Sequence, residues 1–184
     1  MTDFVTSDIH FGHANIMKFC PESRAFNNDV SKMHEAIIKN WNAVITPQDH
    51  TYILGDVAFC NWQDAVKLLN RLNGTKSLVI GNHDKKLMNS QEFRDCFVSC
   101  QDYMSITVDK TKVVMFHYPI AEWDQMHRGA VHLYGHLHGG VSGMEKYRCM
   151  DVGMDTNYCR PYRLSDAIAK CLKGEIKGHH QTGV

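Results

Sequence analysis

The sequence predicts an α/β fold in a single domain that spans residues 1–174. In the first half, short apolar runs alternate with helical patterns in the order strand, helix, strand, helix, strand, which favours a parallel sheet. In the second half, five further strand-like runs follow one another, which indicates hairpins and a mixed arrangement. The chain has 184 residues, 43% of them hydrophobic and 22% charged, as expected for a globular protein with a sizeable core.

The first half contains three predicted strands, each short, apolar and rich in β-branched side chains, at residues 4–7, 51–54 and 76–80. The helix between the first two strands is predicted from apolar residues spaced by three and four, with Asp29 or Asn28 as its N-cap. A second helix is predicted over residues 62–72, with Asn61 as its N-cap. These elements account for the alternating pattern.

The second half contains five predicted strands, at residues 97–100, 103–108, 112–116, 131–134 and 149–152. Only three polar residues separate the second and third of these strands, which predicts a hairpin. Ser165 is predicted to cap a last helix that runs to Leu172. Residues 175–184 contain His179 and His180 in a polar, glycine-containing context, and we expect them to form a flexible C-terminal tail.

The charge balance gives no overall electrostatic argument for a polyanionic partner. Twenty basic and twenty acidic residues give a formal net charge of zero, so no membrane surface is expected as a partner and nucleic acid is only an unfavoured alternative. The N-terminus lacks a basic segment followed by an apolar run, so we expect a cytoplasmic protein. Seven cysteines without a Cys-x-x-Cys pair predict reduced thiols rather than disulfides or a thiolate zinc site.

Polar groups follow apolar runs at five places, which are Asp8-Ile9-His10, Gly55-Asp56, Gly81-Asn82-His83-Asp84, His117 and Gly135-His136-Leu137-His138. Each group alone has an ordinary explanation, since Gly-Asn is common in turns and a single histidine after a strand is usually structural. Five together favour a metal site, because ligands collect at the carboxyl edge of a parallel sheet. Oxygen donors mixed with imidazoles, without thiolates, suit Mn²⁺, Fe or Zn²⁺ in a site where two ions share a carboxylate.

This ordered set resembles the signature of the calcineurin-like metallophosphoesterase superfamily, whose five blocks all occur here in order between Asp8 and His138. Residues 7–16 and 152–155 are further similar to segments of small, uncapped bacterial and phage members. The resemblance implies a four-layer αββα sandwich of two mixed sheets flanked by helices. We also expect the strands that end at Ser7, Leu54 and Ile80 to be neighbours in one sheet.

The resemblance also implies the metal ligands, which are Asp8, His10 and His138 for the first ion, Asn82, His117 and His136 for the second, and Asp56 as the bridge. His83 would face the substrate, either stabilising developing charge or protonating the leaving oxygen, and Asp84 would orient its ring. The implied cofactors are two divalent ions, with Mn²⁺ in first place and Fe, Zn²⁺ or Ni²⁺ as alternatives. The implied reaction is hydrolysis of a phosphate ester by a hydroxide that bridges the two ions.

Sequence differences from related branches of the superfamily restrict the class of substrate that we expect. Protein Ser/Thr phosphatases of this superfamily continue the Gly-Asp block with an Asp-Arg-Gly segment that this chain lacks after Asp56, and the repair nucleases add a capping domain. We therefore expect a phosphodiesterase of small nucleotide-type substrates such as cyclic nucleotides. The alternatives are a phosphomonoesterase, a nuclease or a catalytically inert binding scaffold. The scaffold is disfavoured because all seven ligand positions and His83 are filled.

Residues that bind the substrate are expected in loops, and the candidates are His13, Asn15, Arg24 and Arg128. A guanidinium group can hold a phosphate through two hydrogen bonds, which makes Arg24 and Arg128 the first candidates. For each of them a solvated surface arginine is the alternative. Trp62, Tyr118 and Trp123 could stack on a base, although simple packing explains them as well.

Overall fold

The computed structural model describes residues 1–178 and shows strands and helices in the predicted alternation. The strands are β1 (Asp3–Thr6), β2 (His50–Ile53), β3 (Thr75–Val79), β4 (Ser99–Gln101), β5 (Tyr103–Val108), β6 (Thr111–Phe116), β7 (Val131–Tyr134), β8 (Cys149–Asp151) and β9 (Tyr162–Arg163). The α-helices are α1 (Ile16–Phe19), α2 (Val30–Asn42), α3 (Trp62–Leu69), α4 (Gln91–Arg94) and α5 (Leu164–Cys171). Short 3-10 turns lie at Leu87–Asn89, Met126–Arg128 and Met154–Thr156.

The strands form two mixed sheets. In the first sheet the order is β4-β3-β2-β1-β9, with β1 to β4 parallel and β9 antiparallel to β1. In the second sheet the order is β5-β6-β7-β8, with an antiparallel β5–β6 hairpin and parallel pairing from β6 to β8. Asp109 and Lys110 have φ values of 45° and 66°, the left-handed conformations of a tight hairpin turn. The predicted hairpin and the adjacency of β1, β2 and β3 are confirmed.

Apolar side chains pack the two sheets between outer layers. On one face of the first sheet, Ile53 contributes to a core shared with α2, α3 and α4. On the other face, Val5 lies in a core that contains Val113 of the second sheet and the buried side of α5. The second sheet packs Val114 against Trp123 beside a 3-10 turn, so its outer layer is loop rather than a long helix. Fully burying a side chain of this kind contributes roughly 1.5–3 kcal/mol.

The starts of the two long helices follow the predicted capping residues. The Asp29 carboxylate accepts a hydrogen bond from the backbone N–H of Lys32 at 3.0 Å, and the Asn61 amide oxygen accepts one from Asp64 at 2.9 Å. Both caps are confirmed. Helix α3 ends at Leu69, one turn before the predicted boundary.

The predicted cap of the last helix is wrong. Helix α5 begins at Leu164, so Ser165 lies inside the first turn and Arg163 precedes the helix. The reason is β9, which pairs Tyr162 with Val5 of β1 and continues directly into the helix. A strand of two residues shows no alternation in the sequence, and it was therefore not predicted.

No helix within residues 1–178 combines the length and apolarity needed to cross a lipid bilayer. Of the segment predicted as a tail, Glu175 forms a parallel bridge with Tyr147, and its N–H donates to the carbonyl oxygen of Lys146 at 2.8 Å. Residues 179–184, which include His179 and His180, lie outside the described residues.

Candidate metal centre

A first cluster of ligand-type side chains brings Asp8 and His10, which follow β1, to His138, which follows β7. Asp8 Oδ1 lies 3.7 Å from His10 Nε2 and 3.9 Å from His138 Nε2. Atoms bound to one ion at about 2.1 Å are separated by roughly 3–4 Å, so the three atoms are spaced as ligands of a single ion. Asp8 and His10 are buried.

A second cluster brings Asp56, which follows β2, to His117 after β6 and His136 after β7. Asn82 joins it from the end of β3, with its Oδ1 atom 2.9 Å from His117 Nε2. The side chains of Asp56 and His117 are buried. The predicted ligands of the second ion are therefore together at the carboxyl ends of strands from both sheets.

Asp56 lies between the two clusters. Its Oδ2 atom is 3.8 Å from His10 Nε2 of the first cluster and 3.5 Å from His117 Nε2 of the second. Burial works against ionisation of Asp56, but the hydrogen bond and charge of His117 outweigh it and lower the pKa of Asp56 to about 2. An ionised carboxylate in this position is placed to serve two cations at once.

The backbone of the centre is held in left-handed conformations. Five of the seven predicted ligands have positive φ values between 51° and 71°, and they are Asp8, His10, Asp56, His136 and His138. Such a conformation costs a non-glycine residue roughly 1–3 kcal/mol and persists only where the surrounding structure enforces it. These turns therefore set the directions in which the ligand side chains leave the strand ends.

Two glycines make the close approach of these turns possible. A Cβ atom on Gly81 would lie 2.3 Å from Asp56 Oδ1, and one on Gly135 would lie 2.4 Å from Asp8 Oδ2 and 1.9 Å from Ser7 Oγ. Any larger residue would therefore displace a ligand. The glycine in each block is required by packing as well as by turn geometry.

The donor atoms fit bound cations. Asp8 Oδ1 and His10 Nε2 are buried without a hydrogen-bond partner among the described residues, which is costly unless an ion satisfies them. His117 places Nδ1 2.7 Å from the Leu54 carbonyl oxygen and Nε2 2.9 Å from Asn82 Oδ1. Burial opposes a charge on His117, but the hydrogen bond and charge of Asp56 outweigh it and raise its pKa. A cation bound at Nε2 would also be within reach of Asn82 Oδ1, while Nδ1–H donates to the Leu54 carbonyl oxygen.

A buried support behind the first cluster was not predicted. Asp155 Oδ2 accepts a hydrogen bond from His138 Nδ1 at 2.7 Å, which leaves His138 Nε2 free to face the ion site. Arg24 donates from Nε to Asp155 Oδ1 at 2.8 Å and from Nη2 to Oδ2 at 2.9 Å, and Ser23 Oγ donates to Oδ1 at 2.5 Å. Burial opposes ionisation of Asp155, but His138 and then Arg24 outweigh it and hold its pKa below the usual range.

Two predicted roles are therefore corrected. Arg24 was expected to bind substrate phosphate, but its side chain is fully buried and bound to Asp155, and it also donates to the backbone carbonyls of Asp8 and Ile9. Asp84 was expected to orient the ring of His83, but both of its oxygens accept backbone N–H groups at 2.9 Å. Each side chain fixes a backbone turn of the centre instead.

The chain has relatives in an archaeon and in a bacteriophage. Uncharacterized protein MJ1445 of Methanocaldococcus jannaschii is 34% identical over 183 residues, which cover 94% of this chain and 93% of that protein. The chain belongs to the same family as MJ1445. Gene 66 protein of Mycobacterium phage D29 is 27% identical over 82% of this chain and 86% of its own length. No protein-family model matches the sequence.

Among solved structures, protein AQ665 of Aquifex aeolicus, described as of unknown function, is similar with a TM-score of 0.72. It is 25% identical, and the match covers 90% of this chain and 96% of that one. The two mixed sheets and the ligand-type side chains at the strand ends agree with the architecture that the resemblance implied. The predicted α/β architecture with two mixed sheets is confirmed, and the outer layer of the second sheet is loop where helices were expected.

The other predicted site residues lie at different distances from the centre. His83 Nε2 is 3.9 Å from Asp56 Oδ2, and 43% of the His83 side chain is exposed. His13 Nδ1 is 3.2 Å from His10 Nδ1, at the rim of the first cluster. Asn15 is exposed at the start of α1, and Arg128 is exposed in the 3-10 turn before β7. Substrate binding by His13, Asn15 and Arg128 stays a prediction.

Proposed function

We propose that the protein is a metal-dependent phosphoesterase that hydrolyses small nucleotide-type phosphodiesters, cyclic nucleotides included. The observation that carries this proposal is the place of Asp56 Oδ2, between His10 Nε2 at 3.8 Å and His117 Nε2 at 3.5 Å. A carboxylate shared by two ligand clusters is the central feature of a two-ion hydrolytic site. Mn²⁺ is the first choice of ion, because the donors are carboxylate, amide and imidazole groups without thiolates.

The ligand-type residues would be shared between two ions. Asp8, His10 and His138 would hold one ion, Asn82, His117 and His136 the other, and Asp56 both. When bound, two divalent ions would clamp phosphate oxygens, supply an activated water and balance the charge of the transition state. The buried carboxylates set the positions of both ions before the substrate arrives, which lowers the reorganisation that catalysis requires.

His83 would act on the substrate. Its exposed ring lies 3.9 Å from Asp56 Oδ2 without belonging to either ligand cluster, and its backbone N–H donates to Asp56 Oδ1 at 3.0 Å. An imidazole there can donate a proton to the leaving oxygen, which the ions do not supply. Asp84 supports this role indirectly, because its carboxylate fixes the backbone that carries both Asp56 and His83.

The test is a hydrolysis screen with purified protein and added Mn²⁺. The substrates are bis-nitrophenyl phosphate, nitrophenyl phosphate, cyclic nucleotides, dinucleotides and short single-stranded DNA. We expect the diesters to be hydrolysed faster than the monoester and the small nucleotides faster than DNA. Faster hydrolysis of the monoester would indicate a phosphomonoesterase, and faster hydrolysis of DNA would indicate a nuclease.

The scaffold alternative needs a separate measurement. Metal analysis by mass spectrometry should find two ions per chain in the active protein, and Asp56→Asn should be inactive toward every substrate. Two bound ions without hydrolysis of any phosphate ester would favour a binding scaffold and overturn the proposed activity.

A further inference from the structure

An exposed aromatic ring lies beside the proposed metal centre. Phe59 follows the Asp56 turn, and 41% of its surface is exposed. Its ring stacks on the His13 imidazole, with centroids 4.1 Å apart and an angle of 12° between the planes, and its centroid lies 4.3 Å from that of His83. A large apolar side chain exposed next to a polar centre is a feature that ligand sites use.

The ring borders a cavity that opens beside the proposed metal centre. The cavity has a volume of about 420 Å³, and its lining includes Phe59, Asn82, His83, Lys85 and Lys86. This size lies within the range of sites for small organic ligands. Lys85 and Lys86 are exposed and form no ion pair among residues 1–178, so their charges are available to an anionic ligand.

We propose that Phe59 is the stacking platform for the base of the nucleoside that leaves during hydrolysis. This inference rests on the proposed function. His83, which would protonate the leaving oxygen, lines the same cavity as Phe59, so the leaving arm of the diester is the part that enters it. A base offers a flat π-face of the kind that stacks on exposed aromatic rings. The two lysines suit the negative charge of the phosphodiester to which this arm is joined.

Support from His13 makes Phe59 a suitable platform. The backbone N–H of Phe59 donates to the Phe11 carbonyl oxygen at 2.6 Å, and the ring rests on His13, so both the backbone and one ring face are held. A ring fixed before binding loses little conformational entropy when a base stacks on it. This arrangement differs from a freely rotating surface phenylalanine.

The experiment uses pairs of dinucleotides that differ in one base. One substrate carries adenine on the nucleoside that leaves, and the second substrate carries an abasic tetrahydrofuran unit in place of that nucleoside. Analysis of the products identifies which half of the dinucleotide leaves. With the Mn²⁺-loaded protein we expect kcat/KM to favour the adenine substrate by roughly 10–100-fold, the usual effect of one stacked base. Phe59→Leu should reduce this preference to less than about threefold, whereas Phe59→Trp should retain it.

The matched control is a dinucleotide that lacks the base on the half that keeps the phosphate. The change in kcat/KM caused by this removal should be the same in the wild type and in Phe59→Leu. A preference of equal size in the wild type and Phe59→Leu would overturn the inference, as would a wild type that does not distinguish the two leaving arms. The Phe59→Trp variant provides a second readout, because dinucleotide binding should quench its added fluorescence more than the abasic analogue does.

The two proposals fail in different ways. If the wild type hydrolyses none of the phosphodiesters in the screen, the proposed function fails, and the quenching experiment still tests the platform. Equal quenching by the adenine and abasic compounds would then overturn the inference about Phe59. Stronger quenching by the adenine compound would support Phe59 as a base-binding residue.

Discussion

In the first ligand cluster (Asp8, His10 and His138) the ring of His138 is held by a side chain, whereas in the second cluster (Asp56, His117 and His136, with Asn82) the ring of His117 is held by the backbone. Behind the first cluster, His138 is held by Asp155, which is held in turn by Arg24 and Ser23. In the second, His117 binds the Leu54 carbonyl oxygen, and Asp56 accepts from the backbone N–H of His83.

This difference has a consequence for how each site responds to substitution. One mutation removes a supporting side chain such as that of Asp155. The backbone carbonyl of Leu54 remains whichever side chain residue 54 carries. Support of a histidine ligand by a neighbouring group typically changes metal affinity by about 10–100-fold. We therefore expect that a mutation behind His138 can weaken the first ion by itself, and that no matching mutation exists behind the His117 ring.

The largest effect is expected where the clusters meet. Asp56→Asn removes the charge that both clusters share, so activity should be lost and the affinity for both ions should fall. His138→Ala should mainly weaken the first ion. Metal content of the two variants, measured by mass spectrometry, checks this difference. Two fully occupied ion sites in Asp56→Asn would contradict the bridging role.

A somewhat smaller effect is expected at His83, which belongs to neither cluster. His83→Ala should keep both ions and the fold while lowering kcat by roughly 10²–10⁴-fold, the usual contribution of a positioned acid. The loss should be smaller for a nitrophenyl ester, whose leaving group needs no proton, than for a nucleotide. Steady-state kinetics on both substrates measure this. Loss of an ion would instead make His83 a ligand.

A substitution of Asp155 is expected to lower the affinity for one ion only. Asp155→Asn should lower the affinity for the first ion by about 10–100-fold and leave the second unchanged, as followed by calorimetric titration. It also leaves the buried guanidinium of Arg24 without its counter-charge, so the free energy of unfolding should fall by roughly 3–5 kcal/mol in urea titrations. An equal loss of affinity at both ions would remove the distinction between the clusters.

The smallest effect is expected at Ser23, the outer member of the same support. Ser23→Ala removes one hydrogen bond to the Asp155 carboxylate and keeps the ion pair between Arg24 and Asp155. The free energy of unfolding should therefore fall by about 1–2 kcal/mol. The affinity for the first ion should drop by less than tenfold. A loss as large as that of Asp155→Asn would show that Ser23, rather than Arg24, holds the carboxylate in place.

The sequence predicted the convergence of the ligands because their positions follow from strand order. Parallel strands β1, β2 and β3 bring their carboxyl ends to one edge, and Asp8, Asp56 and Asn82 lie two or three residues beyond these ends. The short apolar runs and the polar residues after them are local features that one chain displays. The two-sheet architecture was predicted from these runs together with the family resemblance.

The supports of the centre could not be predicted, because they depend on contacts between distant parts of the chain. Arg24 and Asp155 are 131 residues apart, and nothing in the pattern around Arg24 distinguishes a buried ion pair from a surface arginine. The carboxylate of Asp84 follows His83 directly, yet the turn geometry directs it to backbone amides. The left-handed conformations at five ligands are likewise a property of the folded loops.

The most direct test of a shared two-ion centre is electron paramagnetic resonance of the Mn²⁺-loaded protein. With two equivalents of Mn²⁺ per chain, a bridge through Asp56 predicts an exchange-coupled spectrum from two ions roughly 3.5–4 Å apart. The same protein carrying Asp56→Asn should lose this coupled signal. A spectrum of two isolated, uncoupled Mn²⁺ ions in the wild type would contradict the account.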